Sequence, residues 1–408
     1  MKGRALWILC LCQGLLTAGL ALSFPFFALY LNKTRGVPMG WVGAFLSLSL
    51  LASAASHGWG GDLSDRLGRR RVMEAALWGR GLLTAALSAA LWAQGPVWAL
   101  VLLHMGASLV GFAFAPAARS WIADHSGPDE RLHAYGWLRV ALNLGWALGP
   151  ALGGRLAGWS YPGMFAATAL VCGVCGLLTR ALKEAGEAPR QPAAPFHPAD
   201  LFTAARDERF LRFSLYALLI GMVMAQMVVT LSVHAVTYAG LSDAQVGLLF
   251  SLNGLIVVAT QNLVTRLIAR GRLTTALTTG CLLYAAGYAS VGFFSGLGAL
   301  AASMTVVSLG EVTVSPSLQA LMANLAPEGL KGRYVGFAGF MEQIGVALGP
   351  LLGGALQQSL SPRWPAAPWL AVCAVGLLAA AGFAQFARQL TPREEGLKDL
   401  ELYDDRTL

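Results

Sequence analysis

The chain has 408 residues, of which 56% are hydrophobic and only 12% charged, and it carries a net charge of +8. A soluble domain carries about a quarter charged residues, so this composition excludes an ordinary water-soluble globule and points to a polytopic membrane protein. The excess base is arginine clustered between apolar runs, not a basic stripe interleaved with stacking aromatics, which excludes nucleic acid as its partner.

A helical span needs about 20 predominantly apolar residues. Twelve such runs follow one another, over roughly 6–31, 40–60, 73–93, 97–121, 134–157, 161–180, 209–238, 245–269, 273–294, 298–321, 333–357 and 367–387. The first, preceded by Lys2 and Arg4, imitates a signal peptide. It stays apolar through Phe24, Phe27 and Tyr30, too long for a cleaved segment, and so reads as the first span. One long polar stretch, 181–208, carries Pro189, Pro192, Pro195 and Pro198 and divides six runs from six, with room for a short surface helix near Leu201. The expected organisation is an all-α membrane protein. It has an N-terminal six-helix bundle over 1–180, a cytoplasmic linker over 181–208, a C-terminal six-helix bundle over 209–390 and a cytoplasmic tail over 391–408. Lys and Arg set the orientation. With the N-terminus inside, the inner segments collect most of them, and the outer face receives only Lys33, Arg35, Arg155 and Arg363. Both termini are therefore expected in the cytoplasm, and the arginine-rich usage with short outer loops fits a bacterial inner membrane. All six cysteines lie in apolar runs, so no disulfide framework is indicated, and Cys172 and Cys175 read as packing rather than redox or metal chemistry.

Between the second and third runs, Gly61 to Arg71 reads GDLSDRLGRRR, setting Asp62 and Asp65 against Arg66, Arg69, Arg70 and Arg71. Such a cluster cannot enter hydrocarbon, and it fixes this loop on the cytoplasmic side. Charge alone does not require Gly61, Asp65 and Gly68 at their spacing. The pattern G-x-x-x-D-R-x-G-R-R, met by Gly61, Asp65, Arg66, Gly68, Arg69 and Arg70, resembles the signature loop of the major facilitator superfamily. That resemblance covers nearly the whole chain and implies a twelve-helix transporter of two pseudo-symmetric bundles working by alternating access. It also implies that Asp65 faces the start of the eleventh helix, near Gly332–Gly336. Arg69 or Arg70 would then pair with an acid at the end of the fourth helix, Asp124, completing a cytoplasmic latch.

The halves repeat one another at an offset of 200 residues. Leu144–Gly154 reads LGWALGPALGG and Ile344–Gly354 reads IGVALGPLLGG, with eight of eleven positions alike. The same offset aligns Pro116 with Pro316, Gly136 with Gly336 and Arg66 with Arg266, while Thr265 stands where Asp65 would be. Parallel repeats of this kind are expected of a superfamily member. In the fifth run, Gly145 and Gly149 let a neighbouring helix approach closely, and Pro150 removes a backbone hydrogen bond. With Gly153 and Gly154 they resemble the antiporter motif of drug:proton antiporters. The copy in the eleventh run leaves a pure packing role open.

An acid within the bilayer costs roughly 3 kcal/mol on insertion scales and is a functional candidate by default. Glu311 lies halfway along the tenth run, which holds no base, and Glu342 near the middle of the eleventh, whose only base is Arg333 at its first position. In a desolvated cavity such a carboxylate can capture and release a proton. A glutamate in the tenth helix also resembles the proton acid of some multidrug antiporters, which favours Glu311. Arg80 and Arg139 are the mid-membrane bases of the first half, and Arg139 with Glu342 could equally be a structural pair. Among His57, His104 and His234, any could titrate near neutral pH. Gln13, Tyr30, Gln226, Asn253, His104 and His234 are candidate cavity residues beside Arg80 and Arg139.

The acid of the first helix and the arginine of the fourth, both usual in drug:proton antiporters, are missing here. No nucleotide-binding loop, catalytic triad order or metal-ligand spacing occurs, so no enzyme, cofactor or metal is expected. The reading is a monomeric, bilayer-embedded, proton-coupled antiporter exporting lipophilic or cationic small molecules. Its rivals are a proton-coupled symporter importing a peptide, sugar or carboxylate, favoured by Arg80 and Arg139, and a non-transporting receptor or lipid-handling protein.

Overall fold

The computed structural model describes residues 3–125, 128–182, 204–327 and 330–397. The side chains at 3–4, 54–62, 65, 123, 128–133, 135–136, 139 and 331–332 fall outside that description. The linker helix expected near Leu201 also lies outside it.

Among the described residues every element is helical and no strand occurs. In order, α1 spans Gly3–Leu29 and runs on through a π-helical turn, Tyr30–Thr34; α2 is Met39–Leu67, α3 Arg69–Trp92 and α4 Val97–Gly111. They are followed by α5 (Phe114–His125), α6 (Pro128–Ala157) and α7 (Tyr161–Thr179). Then come α8 (Glu208–Met224), α9 (Thr230–Thr237), α10 (Asp243–Ile268) and α11 (Leu273–Val291). Three more close the chain: α12 (Leu297–Leu325), α13 (Lys331–Leu360) and α14 (Ala367–Phe386). Among the described residues, 8 helical stretches are long and apolar enough to cross a membrane. Four expected runs fall outside that set: α2, whose described apolar part is Met39–Ser53, α3 and α6, which carry charged side chains, and α11, which carries four threonines and two tyrosines.

The arginine-rich connection differs from its expectation as a loop. Helix α2 continues to Leu67 and α3 starts at Arg69, so the connection is a single residue, Gly68. Its φ of 100° and ψ of 139° are open to glycine and strained for any L side chain. The motif's spacing is therefore helical: Ser64, Asp65 and Leu67 belong to the last turn of α2, and Arg69, Arg70 and Arg71 to the first turn of α3.

Two predicted spans are broken in the middle. The fourth is divided at Phe112 and Ala113, whose N–H groups bond Ser108 O at 3.1 Å and Val110 O at 3.4 Å. The seventh is divided by a 3-10 turn, Ala225–Met227. There the Gln226 side-chain amide donates to Met222 O at 2.8 Å and to Gly349 O at 2.9 Å. Backbone irregularity inside a membrane helix persists only where freed polar groups find such partners.

The chain forms two compact units. One holds Met1–Gln191 with Val228–Gly254, and the other holds Pro192–Met227 with Leu255–Leu408. In the first unit Leu9, Val72, Met73, Phe114, Trp121, Leu138 and Cys175 build a core shared by α1, α3, α5, α6 and α7. Its tightest contact is α6 on α1. A Cβ added at Gly145, Gly149 or Gly153 would sit 2.6, 2.5 or 2.3 Å from the carbonyl oxygens of Gly14, Ala18 and Leu22. Gly154 faces elsewhere, toward Asp243 O of α10, and Gly247 packs on Pro150 O. Gly254 closes on Ala147 of α6, so the first half of α10 is fastened to α6 by backbone contact. The second unit repeats the device. A Cβ at Gly345 would meet Leu218 O at 2.0 Å, and one at Gly349 would meet Met222 O at 3.1 Å, fastening α13 to α8. Relative to the 200-residue offset this pairing is displaced by one helical turn. An aromatic core of Phe213, Tyr216, Phe383 and Phe386 joins α8 to α14, with ring centroids 5.4 to 6.3 Å apart.

Gly149→Val should force α1 and α6 apart, at a cost of about 1–3 kcal/mol typical of overpacking. We expect a lower thermal midpoint in detergent than for Gly158→Ala, whose added methyl meets its nearest neighbour only at 3.6 Å. Equal midpoints for the two variants would rule out backbone contact as the determinant of that helix pair.

Candidate functional site

At the α2–α3 turn, Arg69 is held from two sides. Its Nε donates to Asp124 Oδ2 at 3.1 Å, at the end of α5, and its second nitrogen donates to Ser64 Oγ at 2.7 Å. The Arg69 side chain is 12% exposed and that of Asp124 33%, so the pair is shielded on the arginine side only. Arg70 goes elsewhere. It donates to the Leu182 carbonyl beyond α7 at 3.4 Å and lies 3.5 Å from Glu74, one turn ahead on α3. The expected alternative between Arg69 and Arg70 thus resolves to Arg69. Arg66 is exposed, and the side chains of Gly61 and Asp65 lie outside the described residues, as does that of Arg139. Ser64 and the Leu182 carbonyl carry no sequence signal, because hydrogen bonding to a passing arginine leaves no spacing to read.

Deeper in the first unit, Arg80 lies 11 residues into α3, about 16 Å along the helix. Its aliphatic stem runs across Gly111 of α4, and its guanidinium lies 5.9 Å from the ring centroid of Phe112. His104, two turns earlier on the same buried face of α4, is 7% exposed. Its ring stacks on Phe27 at 4.4 Å and on Phe24 at 6.0 Å, and its Nε2 has no hydrogen-bond partner. Gln13 of α1 donates to Thr17 at 3.1 Å. Asn253 and His234 are buried on α10 and α9, His234 at 5.4 Å from the ring of Tyr238. At one end of this unit Tyr161 donates to Asp243 at 2.7 Å, and the Tyr30 ring lies 5.2 Å from Tyr161. Arg35 donates to the Tyr30 hydroxyl at 3.4 Å. Tyr161 and Asp243 are absent from the sequence reading. Asp243 lies within a capping box formed by Ser242 and Gln245, whose reciprocal bonds are 2.9 and 3.3 Å.

In the second unit Glu311 and Glu342 are both half-buried, on α12 and α13. They share a neighbour: the buried Tyr284 of α11 has both carboxylates in its electrostatic surroundings. Tyr284 stacks on Tyr288 at 6.0 Å, and Tyr288 on Trp369 at 5.8 Å. Tyrosines one turn apart on an apolar helix read as packing in a sequence, so this aromatic stack was not legible there. Gln226, expected in a cavity, has its amide nitrogen engaged in the α8 break and on Gly349.

The segment after α14 is more than a tail. Glu395, 2% exposed, accepts hydrogen bonds from the Thr274 N–H at 3.0 Å and from the Thr274 hydroxyl, capping α11. Glu394 accepts from Arg209 at 2.7 Å, and its own carbonyl accepts from Asn324 at 3.0 Å. Thr391–Leu397 is thereby tied to α8, α11 and α12.

A family model described as Major Facilitator Superfamily matches residues 9–350, and again 236–401. The chain belongs to the major facilitator superfamily. It is an integral membrane transporter. Multidrug resistance protein MdtH of Aeromonas hydrophila is 28% identical over 381 residues, covering 91% of this chain and 92% of that protein. A Na(+), Li(+), K(+)/H(+) antiporter of Planococcus maritimus is 25% identical over 358 residues, 80% of this chain and 84% of the other. The solved nucleoside transporter NupG superposes with a TM-score of 0.78 at 14% identity, over 95% of this chain and 100% of that one. At that identity the likeness is one of fold alone.

Burial by itself would raise the pKa of Glu394, but hydrogen bonds from Arg209 and Thr391 outweigh it and hold the carboxyl below the usual range. A depressed native pKa gives stability that is complete above the unfolded value, near 4.5, and is lost as pH falls through the lower native one. Glu394→Gln should therefore flatten the acid side of a melting-temperature profile below that value while lowering the midpoint near neutrality. An unchanged acid side would show that the strap contributes nothing through this charge.

Proposed function

We propose that this superfamily member is a proton-coupled antiporter exporting lipophilic or cationic small molecules by alternating access. In this reading twelve spans form two six-helix halves, with both termini in the cytoplasm. The carrying observation is the acid pair of the second unit. Two half-buried glutamates lie on apolar helices whose only bases, Lys331 and Arg333, stand in the first turn of α13, and the charges of both acids act on one buried tyrosine, Tyr284. A carboxylate is expensive in hydrocarbon unless it can take up a proton, and a proton that is gained and lost across a cycle is what coupling requires. Glu311 is the proton acceptor, with Glu342 as the second candidate acid of the same unit. The similarity to a multidrug resistance protein and to a cation/proton antiporter supports export and proton exchange over import.

The Arg69–Asp124 pair and the Gly68 turn form the fixed side of a cytoplasmic latch, with Asp65 as its moving contact. Gly145, Gly149, Pro150, Gly153 and Gly154 keep α1, α6 and the start of α10 together as the halves exchange conformations. The transporter works as a monomer in the inner membrane.

Reconstitution with an imposed pH gradient tests the coupling. Wild-type proteoliposomes should move a lipophilic cationic dye against the proton gradient. Glu311→Gln should abolish gradient-driven movement while leaving downhill exchange at a measurable fraction of wild type. Full gradient-driven transport by that variant would remove Glu311 from the mechanism.

A further inference from the structure

The acids of the second unit leave Arg80 of the first without a role. Among the described residues its guanidinium has no hydrogen-bond acceptor and no carboxylate partner, only the face of Phe112 at 5.9 Å. Such a group retained at mid-membrane depth needs a negative charge from somewhere. Gly111 is what lets it lie where it does: a Cβ there would sit 2.4 Å from Arg80 Cδ. The same buried face of α4 carries Gly111, Ser108 and His104, one turn apart in succession. His104 adds an independent sign of a ligand. It is 7% exposed, and its Nε2 has no partner. Its walls are aromatic: Phe27 at 4.4 Å, Phe24 at 6.0 Å, and Phe165 at 5.8 Å from Phe27.

We infer that Arg80 and His104 form a binding subsite in the first unit for the carboxylate of an aryl acid. The guanidinium supplies charge and paired donors, a geometry suited to carboxylate. The His104 Nε2–H supplies a further donor, Ser108 lies between them, and Phe24, less buried than Phe27, offers a face to the aryl body. This deepens the export reading by naming one class of lipophilic substrate. Binding at equilibrium nevertheless stands or falls apart from proton coupling.

The test uses full-length protein purified in detergent and three probes sharing one ring system: 1-naphthoate, 1-naphthylmethanol and 1-naphthylmethylamine. Wild type should bind 1-naphthoate roughly tenfold or more tighter than the alcohol, the gain expected of a charged hydrogen-bonded pair. The amine should bind no tighter than the alcohol. Arg80→Gln should erase the preference for the acid and leave the alcohol unchanged. Because a core arginine variant can fail to fold, His104→Phe is the second arm. It keeps the stack on Phe27, removes Nε2, and should weaken the acid severalfold with the alcohol again unchanged. Equal binding of acid and alcohol by wild type would overturn the subsite, as would undiminished naphthoate binding in both variants. Full displacement of naphthoate by chloride but not by gluconate would assign the site to a small inorganic anion and overturn the aryl acid. Gradient-driven movement of the cationic dye with no naphthoate preference would leave the export reading standing and sink only this inference.

Discussion

Backbone laid directly against backbone is the contact on which the rest of this molecule depends. Lipid tails are as apolar as leucine, so burying side chains gives membrane helices little reason to associate. What remains is close van der Waals packing, strongest where no side chain intervenes. Helix α6 meets the carbonyl oxygens of α1 along Gly145, Gly149 and Gly153, and α13 meets those of α8 through Gly345 and Gly349. A methyl group at any of these positions would occupy space held by a neighbouring backbone or side chain. The helix-pair geometry in each unit is thus written in residues that contribute no side chain at all.

Much of this was legible because membrane constraints are severe. The apolar runs, the linker and the 200-residue repeat follow from composition and spacing, and each run contains helix. The turn at Gly68 was harder. Charged residues break an apolar run on paper, so Gly61 to Arg71 reads as a loop. In the structure those charges ride on two helix ends, because arginine is a good helix former and a single glycine suffices to reverse the chain. The interruptions of the fourth and seventh runs gave no signal either. Their N–H groups and carbonyls are satisfied by Ser108, Val110 and the amide of Gln226, partners that hydropathy does not see. The repeat also misleads by one turn, since equal glycine spacing in α6 and α13 does not fix which turn of the partner helix they meet.

At the candidate site the sequence shows which charges are buried and not what surrounds them. Glu311 and Glu342 stand out because acids are rare in such helices. Tyr284 does not, although the charges of both acids act on it. A partner for Asp124 came from the family resemblance, which left Arg69 and Arg70 both open; the contact is made by Arg69. Tyr161 and Asp243 could not be paired in that way, with 82 residues between them and no pattern that joins them. Glu395 is the extreme case: a helix start capped by a carboxylate from beyond the last span.

The ionisable groups inside the spans divide by sign. In the first unit the mid-helix charges are bases, Arg80 and Arg139, and the acids keep to helix ends, as Asp124 and Asp243 do. In the second unit the mid-helix charges are Glu311 and Glu342, and the bases keep to helix ends. A carboxylate can be neutralised by a proton, whereas a guanidinium stays charged at any physiological pH. The two units therefore answer the same desolvation problem differently. An acid can lose its charge by taking up a proton, which is why the proposed cycle assigns coupling to the second unit. Arg80 keeps its charge, which is why the proposed subsite takes its anion in the first unit.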